Sequence, residues 1–141
     1  MDNIRIGTVN TIDYKNGILS VIYEDRDDCI TQDIPFLTFN GEYKMPDIGE
    51  KVLVLNLSNG AGMGICLGTY WEEENAPPIG KKGVYYKKIN DKTSIQYDVS
   101  TKSLVIEAEH LVLKATADGV ETTLKDLIKR IEKLEGGGTS G

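Results

Sequence analysis

The stretch that decides the fold runs from Ser94 to Leu134 and begins with three short alternating segments, SIQYDV (94–99), SLVIEA (103–108) and LVLKA (111–115). Polar turns separate these segments, and each segment has one apolar face. The rest of the sequence offers no second sheet or long helix that would cover those faces. Strands that cannot bury an apolar face alone bury it against copies of themselves. The pattern therefore predicts a symmetric, elongated stalk built from several copies of the chain.

The residues expected to meet between copies lie two positions apart within each segment, so they share a face. They are Ile95, Tyr97 and Val99 in the first segment, Leu104, Ile106 and Ala108 in the second, and Leu111, Leu113 and Ala115 in the third. A slip of one residue would invert these faces, so the register should be well specified. The alternative interpretation is a plain antiparallel meander packed on the N-terminal half of the same chain.

After the third segment the period changes to the three-four spacing of a coiled coil. The apolar stripe consists of Leu124, Leu127, Ile131 and Leu134, and Ile128 widens it. Thr123 and Asp126 resemble a capping box with Asp in place of Glu or Gln, which predicts a helix start near this point. A helix of about a dozen residues is marginal by itself in water. We therefore expect partner helices to hold it; the alternative is a helix folded back on its own N-terminal half.

Residues 4–71 carry the signals of an all-β domain with five strands. The strands are expected near Ile4–Ile12, Ile18–Tyr23, Ile30–Phe39, Lys51–Leu57 and Gly64–Trp71. Asn16-Gly17 is a strong hairpin dipeptide between the first two strands, and Pro35 should place part of the third strand at an edge or a bulge. Glycines within the first and last strands permit the coiling that a small barrel needs. These signals predict an OB-type five-stranded barrel.

The predicted fold class is all-β, and the chain divides into five parts. They are a barrel over 1–71, a linker over 72–82, a β stalk over 83–120, a C-terminal helix over 121–135 and a flexible glycine-rich tail over 136–141. The linker is expected because carboxylates, two prolines and a glycine follow the last barrel strand. Gly83–Tyr86 should form a short strand before a turn at Asn90–Lys92.

Composition narrows the classes of function. The 141-residue chain has 40% hydrophobic residues and a formal net charge of −6, which indicates a globular protein without the basic face of most nucleic-acid-binding domains. No apolar run approaches the ~20 residues that cross a bilayer. The N-terminus lacks the apolar core of a signal peptide, so we expect synthesis in a cytoplasm.

Candidate chemical sites are few. Cys29 and Cys66 lie far apart without a Cys or His nearby, so we interpret them as reduced thiols packed in strands rather than zinc ligands. The acidic cluster Asp25, Asp27 and Asp28 lacks the glycine and distal Glu of a calcium loop and is interpreted as a solvated hairpin tip. His110, the only histidine, is interpreted as a turn or surface residue.

No catalytic frame is visible in the sequence. Residues 60–64 (GAGMG) favour a hairpin turn over a phosphate-binding loop, because a strand and not a helix follows them. No Ser has a plausible His base, and no carboxylates stand in a recognisable acid-base frame. We therefore expect no enzymatic activity, no cofactor and no metal site.

Four short motifs occur in order in the barrel segment and in the linker that follows it. They are Ile6-Gly7-Thr8-Val9, Pro46-x-x-Gly49-Glu50-x-Val52-Leu53-Val54, Gly64-Ile65-Cys66-Leu67-Gly68 and Asn75-Ala76-Pro77-Pro78. As an ordered set they resemble the baseplate assembly protein V, or central spike, family of contractile phage tails. Related spikes occur in phage-tail-like bacteriocins and in type VI secretion.

The resemblance implies a homotrimer whose three chains wind into an intertwined β-helix around a thin apolar axis, where Ala108 and Ala115 suit a narrow taper. It implies a structural role in baseplate assembly and envelope puncture, within a virion tail or tail-like particle. The implied partners are the tail tube or hub, other baseplate proteins and the target cell envelope. Spikes of the family often bind iron through a His-x-His pair at the tip. This chain has no such pair, so a separate tip protein is the expectation.

Two alternative functions stay open at this point. One is an OB-fold module for single-stranded nucleic acid or oligosaccharide, which would stack its ligand on exposed rings. The available rings are Tyr14, Tyr23, Tyr43, Tyr70 and Trp71. The other is an assembly chaperone that trimerises but leaves the final particle.

Overall fold

The computed structural model describes residues 3–57 and 64–138, which form β-strands, one short 3₁₀ turn and one α-helix at the C-terminal end. The expected all-β class with a C-terminal helix is thereby confirmed. Contacts divide the chain into two units, Met1–Ala76 and Pro77–Gly141, and the boundary falls within the predicted linker. The predicted hairpin turn at residues 60–64 lies mostly outside the described residues.

The first unit contains an antiparallel sheet whose strands differ in length. Its described strands are β1 (Ile4–Asp13), β2 (Ile18–Tyr23), β3 (Cys29–Ile30), β4 (Ile34–Pro35), β5 (Lys51–Asn56) and β6 (Gly64–Gly68). The sheet order is β3-β2-β1-β5-β6, and β4 pairs with β2. The sheet is not closed in the described residues, where the β4 segment and β6 are joined by an isolated parallel bridge between Phe36 and Cys66 and by the hydrogen bond from Leu37 N–H to Cys66 O.

The predicted turn between the first two strands is confirmed at residues 14–17. Gly17 has a φ of 65°, a left-handed conformation that glycine adopts without a steric penalty. Its N–H donates to the carbonyl oxygen of Asp13 at 3.0 Å. The carboxylate of Asp13 accepts hydrogen bonds from the side chain and backbone of Asn16, at 2.8 and 3.2 Å, and these bonds lower the pKa of Asp13.

The third strand predicted over Ile30–Phe39, with an interruption at Pro35, is shorter and divided earlier than predicted, since this segment forms β3 and β4. The cause lies at Thr31, whose backbone N–H donates to Val21 O at 2.8 Å while its Oγ1 accepts the N–H of Val21 at 2.9 Å. The hydroxyl thus takes the place of a backbone carbonyl, which ends the regular ladder. Pro35 pairs with Ile18 in the two-residue strand β4 at the edge of the sheet, where a residue without an N–H is tolerated.

Alternation along these strands builds one core in the first unit. The buried apolar residues are Val9, Leu19, Val21, Tyr23, Ile34, Met45, Val52, Val54 and Cys66, with Ile12 and Phe36 packed against them. Gly7 lies beside this core, where a Cβ would overlap Val21 Cγ1 and lie 2.9 Å from the carbonyl oxygen of Ile22. The close approach of β1 and β2 therefore requires glycine at this position.

The second unit contains a three-stranded antiparallel meander, a hairpin and the helix. Its elements are β7 (Val84–Asn90), β8 (Thr93–Asp98), β9 (Ser103–Glu107), β10 (Val112–Ala115), β11 (Val120–Thr123) and α1 (Leu124–Gly138). The three alternating segments of the sequence are confirmed as strands β8, β9 and β10. The strand expected at Gly83–Tyr86 is longer than predicted, since β7 continues to Asn90.

The helix of the segment expected over 121–135 begins at Leu124, near the start that the Thr123–Asp126 pattern predicts, and it continues beyond residue 135 to Gly138. Glu121 and Thr122 pair with β10, and the helix begins only after Thr123. Thr123 Oγ1 accepts the N–H of Asp126 at 3.1 Å, which is the N-cap bond that the sequence predicted. At the other end, residues 136–138 of the expected flexible tail continue the helix, because glycine in a helix costs about 1 kcal/mol relative to alanine but is not forbidden. Residues 139–141 lie outside the described part.

Within the described residues, the chain has no helix whose length and apolar character suit a membrane span.

Replacing Gly7 with alanine should lower the free energy of unfolding of the first unit by about 1–3 kcal/mol, because the added methyl group must displace Val21 or the β2 backbone. The measurement is urea denaturation of the full chain. Gly80→Ala is the matched control, since no atom lies within 4 Å of the added Cβ. Equal urea midpoints for Gly7→Ala and the wild-type chain would show that β2 accommodates the methyl group without a loss of stability.

Candidate assembly surface

The two units differ in how they treat apolar side chains. Every buried apolar residue of the described chain lies in the first unit, and Ser94 is the only buried residue described in the second. The strands of the second unit nevertheless alternate as clearly as those of the first. Their apolar faces are therefore left in contact with water in the isolated chain.

The register of the meander places large apolar side chains in two adjacent rows of one sheet face. Tyr85, Tyr97 and Leu104 lie opposite one another in the first row. Ile95 and Ile106 lie opposite one another in the second row, beside Lys87. We call the five apolar residues of these rows the stalk face. Leu104 and Tyr85 are each 62% exposed, and Ile106 is 53% exposed.

The hairpin adds a smaller apolar face. Leu113 pairs with Thr122 and Ala115 pairs with Val120, so these four residues share one side of the two strands. On the other side Lys114 and Glu121 form an exposed ion pair with an N–O distance of 3.6 Å. On that second side Val112 and Thr123 lie next to the ion pair, so the apolar residues are concentrated on the first side but not confined to it.

The helix continues this pattern with an apolar stripe. Its members Leu124, Leu127, Ile128, Ile131 and Leu134 are all exposed, from 39% at Leu127 to 75% at Leu134. Their three-four spacing keeps them on one side of the helix. No residue of this stripe belongs to the hydrophobic core cluster of the described chain.

The structure brings most of the predicted oligomerisation residues together in three groups. Ile95, Tyr97, Leu104 and Ile106 lie on the stalk face, Leu113 lies on the hairpin, and Leu124, Leu127, Ile131 and Leu134 lie on the helix stripe. Ala108 and Leu111 lie between β9 and β10, outside the strands, and are half-buried. Sequence reasoning missed Tyr85 and Val120. Tyr85 is followed by Tyr86, so alternation did not distinguish the two faces there, and Val120 was assigned to the segment before the helix.

One carboxylate at the end of the meander has a strongly perturbed acidity. Asp98 accepts hydrogen bonds from the hydroxyl and backbone N–H of Ser100, at 2.6 and 2.8 Å, and from Lys81 Nζ at 3.3 Å. These bonds, chiefly the one from the Ser100 hydroxyl, lower the pKa of Asp98 to about 2. Lys102, at the end of the turn, donates its N–H to the carbonyl oxygen of Asp98 at 2.8 Å. The ionised carboxylate therefore organises the β8–β9 turn.

The other candidate sites do not assemble into a chemical centre. Cys66 is buried, and burial raises the pKa of its thiol, but Cys29 is exposed, so the prediction that both thiols are packed is wrong for Cys29. Asp25 binds Arg5 at 2.7 Å and is not simply solvated.

His110 is exposed in the bend after β9. Among the described residues no group of three or more His, Cys, Asp or Glu side chains has the arrangement of a metal site.

The aromatic rings that a nucleic-acid module would use are not all available. The ring of Tyr23 is buried, and the guanidinium of Arg5 lies 3.9 Å from its centroid. Tyr14, Tyr43 and Trp71 are exposed, and the Tyr43 hydroxyl donates to the carbonyl oxygen of Tyr14 at 3.1 Å. A groove of about 520 Å³ in the first unit has aliphatic walls and charges of both signs, including Arg5, Lys51, Glu24 and Asp25. This groove does not have the uniformly basic character of a phosphate-backbone site.

No model of a known protein family matches this chain, and a search of curated proteins also finds no match. The proposal below therefore depends on the apolar surfaces of the second unit and on the resemblance carried by the four motifs.

The acidity of Asp98 predicts a pH dependence of stability in the second unit. The folded pKa, about 2, lies below the ordinary aspartate value of 3.8, so the ionised carboxylate stabilises the folded state above about pH 4 and this contribution is lost as the pH falls toward 2. Asp98→Asn should lower the thermal midpoint at pH 7 and should flatten the profile between pH 4 and 2. Circular dichroism melts across this range test both effects.

Asp118→Asn, in the exposed β10–β11 turn, is the matched control for the loss of one carboxylate. If Asp98→Asn and Asp118→Asn show the same dependence of the thermal midpoint on pH, the ionised Asp98 carboxylate does not stabilise the folded state, contrary to what its hydrogen bonds indicate.

Proposed function

We propose that this protein is the structural central spike or hub of a contractile injection system, such as a phage tail baseplate or a tail-like bacteriocin. It acts in baseplate assembly and in puncture of the target envelope, and it has no catalytic role. The observation that carries this proposal is the second unit, in which a sheet face and a helix stripe of large apolar residues have no cover within the described chain.

A homotrimer is the assembly that this surface and the resemblance support together. Copies of the stalk face turned toward a common axis remove Tyr85, Tyr97, Leu104 and Ile106 from water. Copies of the helix stripe pack as a short coiled coil around the same axis. Burying a large aliphatic side chain contributes roughly 1.5–3 kcal/mol when it is complete, so these half-exposed residues gain on the order of 1 kcal/mol each. The number three comes from the family that the motifs resemble.

The stalk of this trimer is an intertwined β-helix. A closed β-prism has few free strand edges, and hydrogen bonds between its chains share an axial load. Such a stalk suits a part that transmits force along its axis. Ala108 and Ala115, the small residues of the second and third segments, suit a narrow interior.

The first unit serves as a collar domain with the architecture of an OB-type barrel. The sheet order β3-β2-β1-β5-β6 and the parallel bridge from Phe36 to Cys66 support this assignment, together with the hydrogen bond of 2.9 Å from Leu37 N–H to Cys66 O. Its partners are the tail tube or hub and other baseplate proteins. A separate tip protein meets the target envelope, because this chain lacks the His-x-His pair of an iron-bearing tip.

The first test is the mass of the full chain in solution. Light scattering at micromolar concentration should give about three times the chain mass of 15.5 kDa. A well-behaved monomer would contradict the proposal, because the apolar surfaces would then be stable in water without a partner copy.

A matched pair of helix variants connects the mass to the surface. Leu127→Ser removes a large side chain from the helix stripe, and we expect it to raise the concentration at which the trimer dissociates by about tenfold or more, through the loss of one such contact per copy. Lys129→Ser changes a residue outside the stripe and should leave the mass unchanged. Equal behaviour of the two variants would exclude the helix stripe from the interface.

A further inference from the structure

The outer strands of the meander, β7 and β9, each have an edge that pairs with no other strand in the described chain. Such an edge is a template for pairing with another chain. Because both strands are antiparallel to β8, they run in the same direction. A contact in a rotationally symmetric ring joins two different surfaces, one from each neighbouring copy. The β7 and β9 edges are two different surfaces of this kind.

The register through β8 shows which residues of the two edges lie at the same level. Tyr85 and Leu104 both pair with Tyr97. Tyr86 and Val105 both pair with Gln96. Two successive levels therefore carry apolar residues on both edges, and these residues would meet if the edges joined without a shift.

At the next level Lys87 and Ile106 both pair with Ile95, and a charge pair follows at the level after it. Lys88 and Glu107 both pair with Ser94, so they lie at one level and on the same face. Within one chain β8 lies between them, so their backbones are two strand spacings of about 4.8 Å apart, and Lys88 pairs with another residue. Glu107 has no ion-pair partner in the described part of the chain. Lys88 contacts Asp91 at 3.2 Å, an exposed pair within a turn, which contributes little and can be exchanged.

We propose that β9 of one copy pairs in parallel with β7 of the next copy, and that Lys88 of that next copy donates to the carboxylate of Glu107. The pairing rests on the proposed trimer and specifies the contact that closes it. Three such contacts join strands of the three chains around the axis, with the stalk face and the adjacent Lys87 inward. Complementary charge at the last level fixes the register, since a shift would place Lys88 beside the apolar residues of β9.

Charge reversal in the full-length chain tests this contact. Lys88→Glu and Glu107→Lys each place like charges at all three contacts, so each should raise the dissociation concentration of the trimer by roughly tenfold or more. The double reversal restores opposite charges and should return the value to within about threefold of the wild type. Sedimentation at low salt measures the dissociation, and circular dichroism checks that each variant is folded.

Mixing the two single variants separates a contact between copies from one within a chain. In a mixed trimer at least two of the three contacts join opposite charges, so the mixture should form trimers at a lower concentration than either variant alone. The control uses Lys114→Glu and Glu121→Lys, whose ion pair lies within one hairpin. Mixing these two variants should not lower the concentration at which trimers form, because their ion pair does not join two copies.

Each outcome decides between the pairing and its alternatives. If the wild-type chain is trimeric and the single reversals leave its dissociation unchanged, the edge pairing is wrong while the proposed trimer stands. If the double variant recovers but the mixture does not, the two charges act within one chain and the pairing is again wrong. If the wild-type chain is a monomer, both the pairing and the proposed function fall. If the edges bind only a tail tube or hub protein added to the assay, the occupant is that protein and not a second copy.

Discussion

Contact with water is unfavourable for an apolar sheet face, and the second unit has such a face with no cover among the described residues. In the first unit the same alternation of side chains is satisfied internally, because six strands and their loops surround Val9, Leu19, Val21 and Val52. Three strands and a hairpin are too few to enclose a core. Every other property of the second unit that bears on function follows from this shortage of covering structure, including the exposed Leu104 and the exposed helix stripe.

The first unit also exposes large apolar side chains, such as Phe39 and Trp71, but it has a buried core and a charged group that is enclosed by contacts within the unit. The guanidinium of Arg5 lies over the ring of Tyr23 and binds Asp25, and the Arg5 side chain is only 10% exposed. Tyr23 in turn donates its hydroxyl hydrogen to Asn56 Oδ1 at 3.4 Å, while burial raises the pKa of the phenol. These contacts join β1, β2 and β5.

The sequence predicted the strands that form uninterrupted runs bounded by turn residues, such as β2, β8 and β9. It failed where a side chain competes with the backbone ladder. The hydroxyl of Thr31 ends β3 early, and Thr123 both completes β11 and caps the helix. Contacts between residues far apart in the sequence, such as Arg5 with Tyr23, do not change the local periodicity, so the sequence pattern does not predict them. For the same reason the sequence located most of the assembly surface but not Tyr85, whose place on the stalk face depends on its pairing with Tyr97.

The junction between β11 and α1 has no spacer, because the strand ends at Thr123 and the helix begins at Leu124. Leu124 N–H also donates to the carbonyl oxygen of Leu111 at 2.9 Å, so the first helical residue is bonded to the segment before β10. The rotation of the helix about its own axis is thereby set by the hairpin. A twisting force applied to the helix passes into the strands instead of being absorbed by a slack loop, so the C-terminal end of this molecule can carry torque.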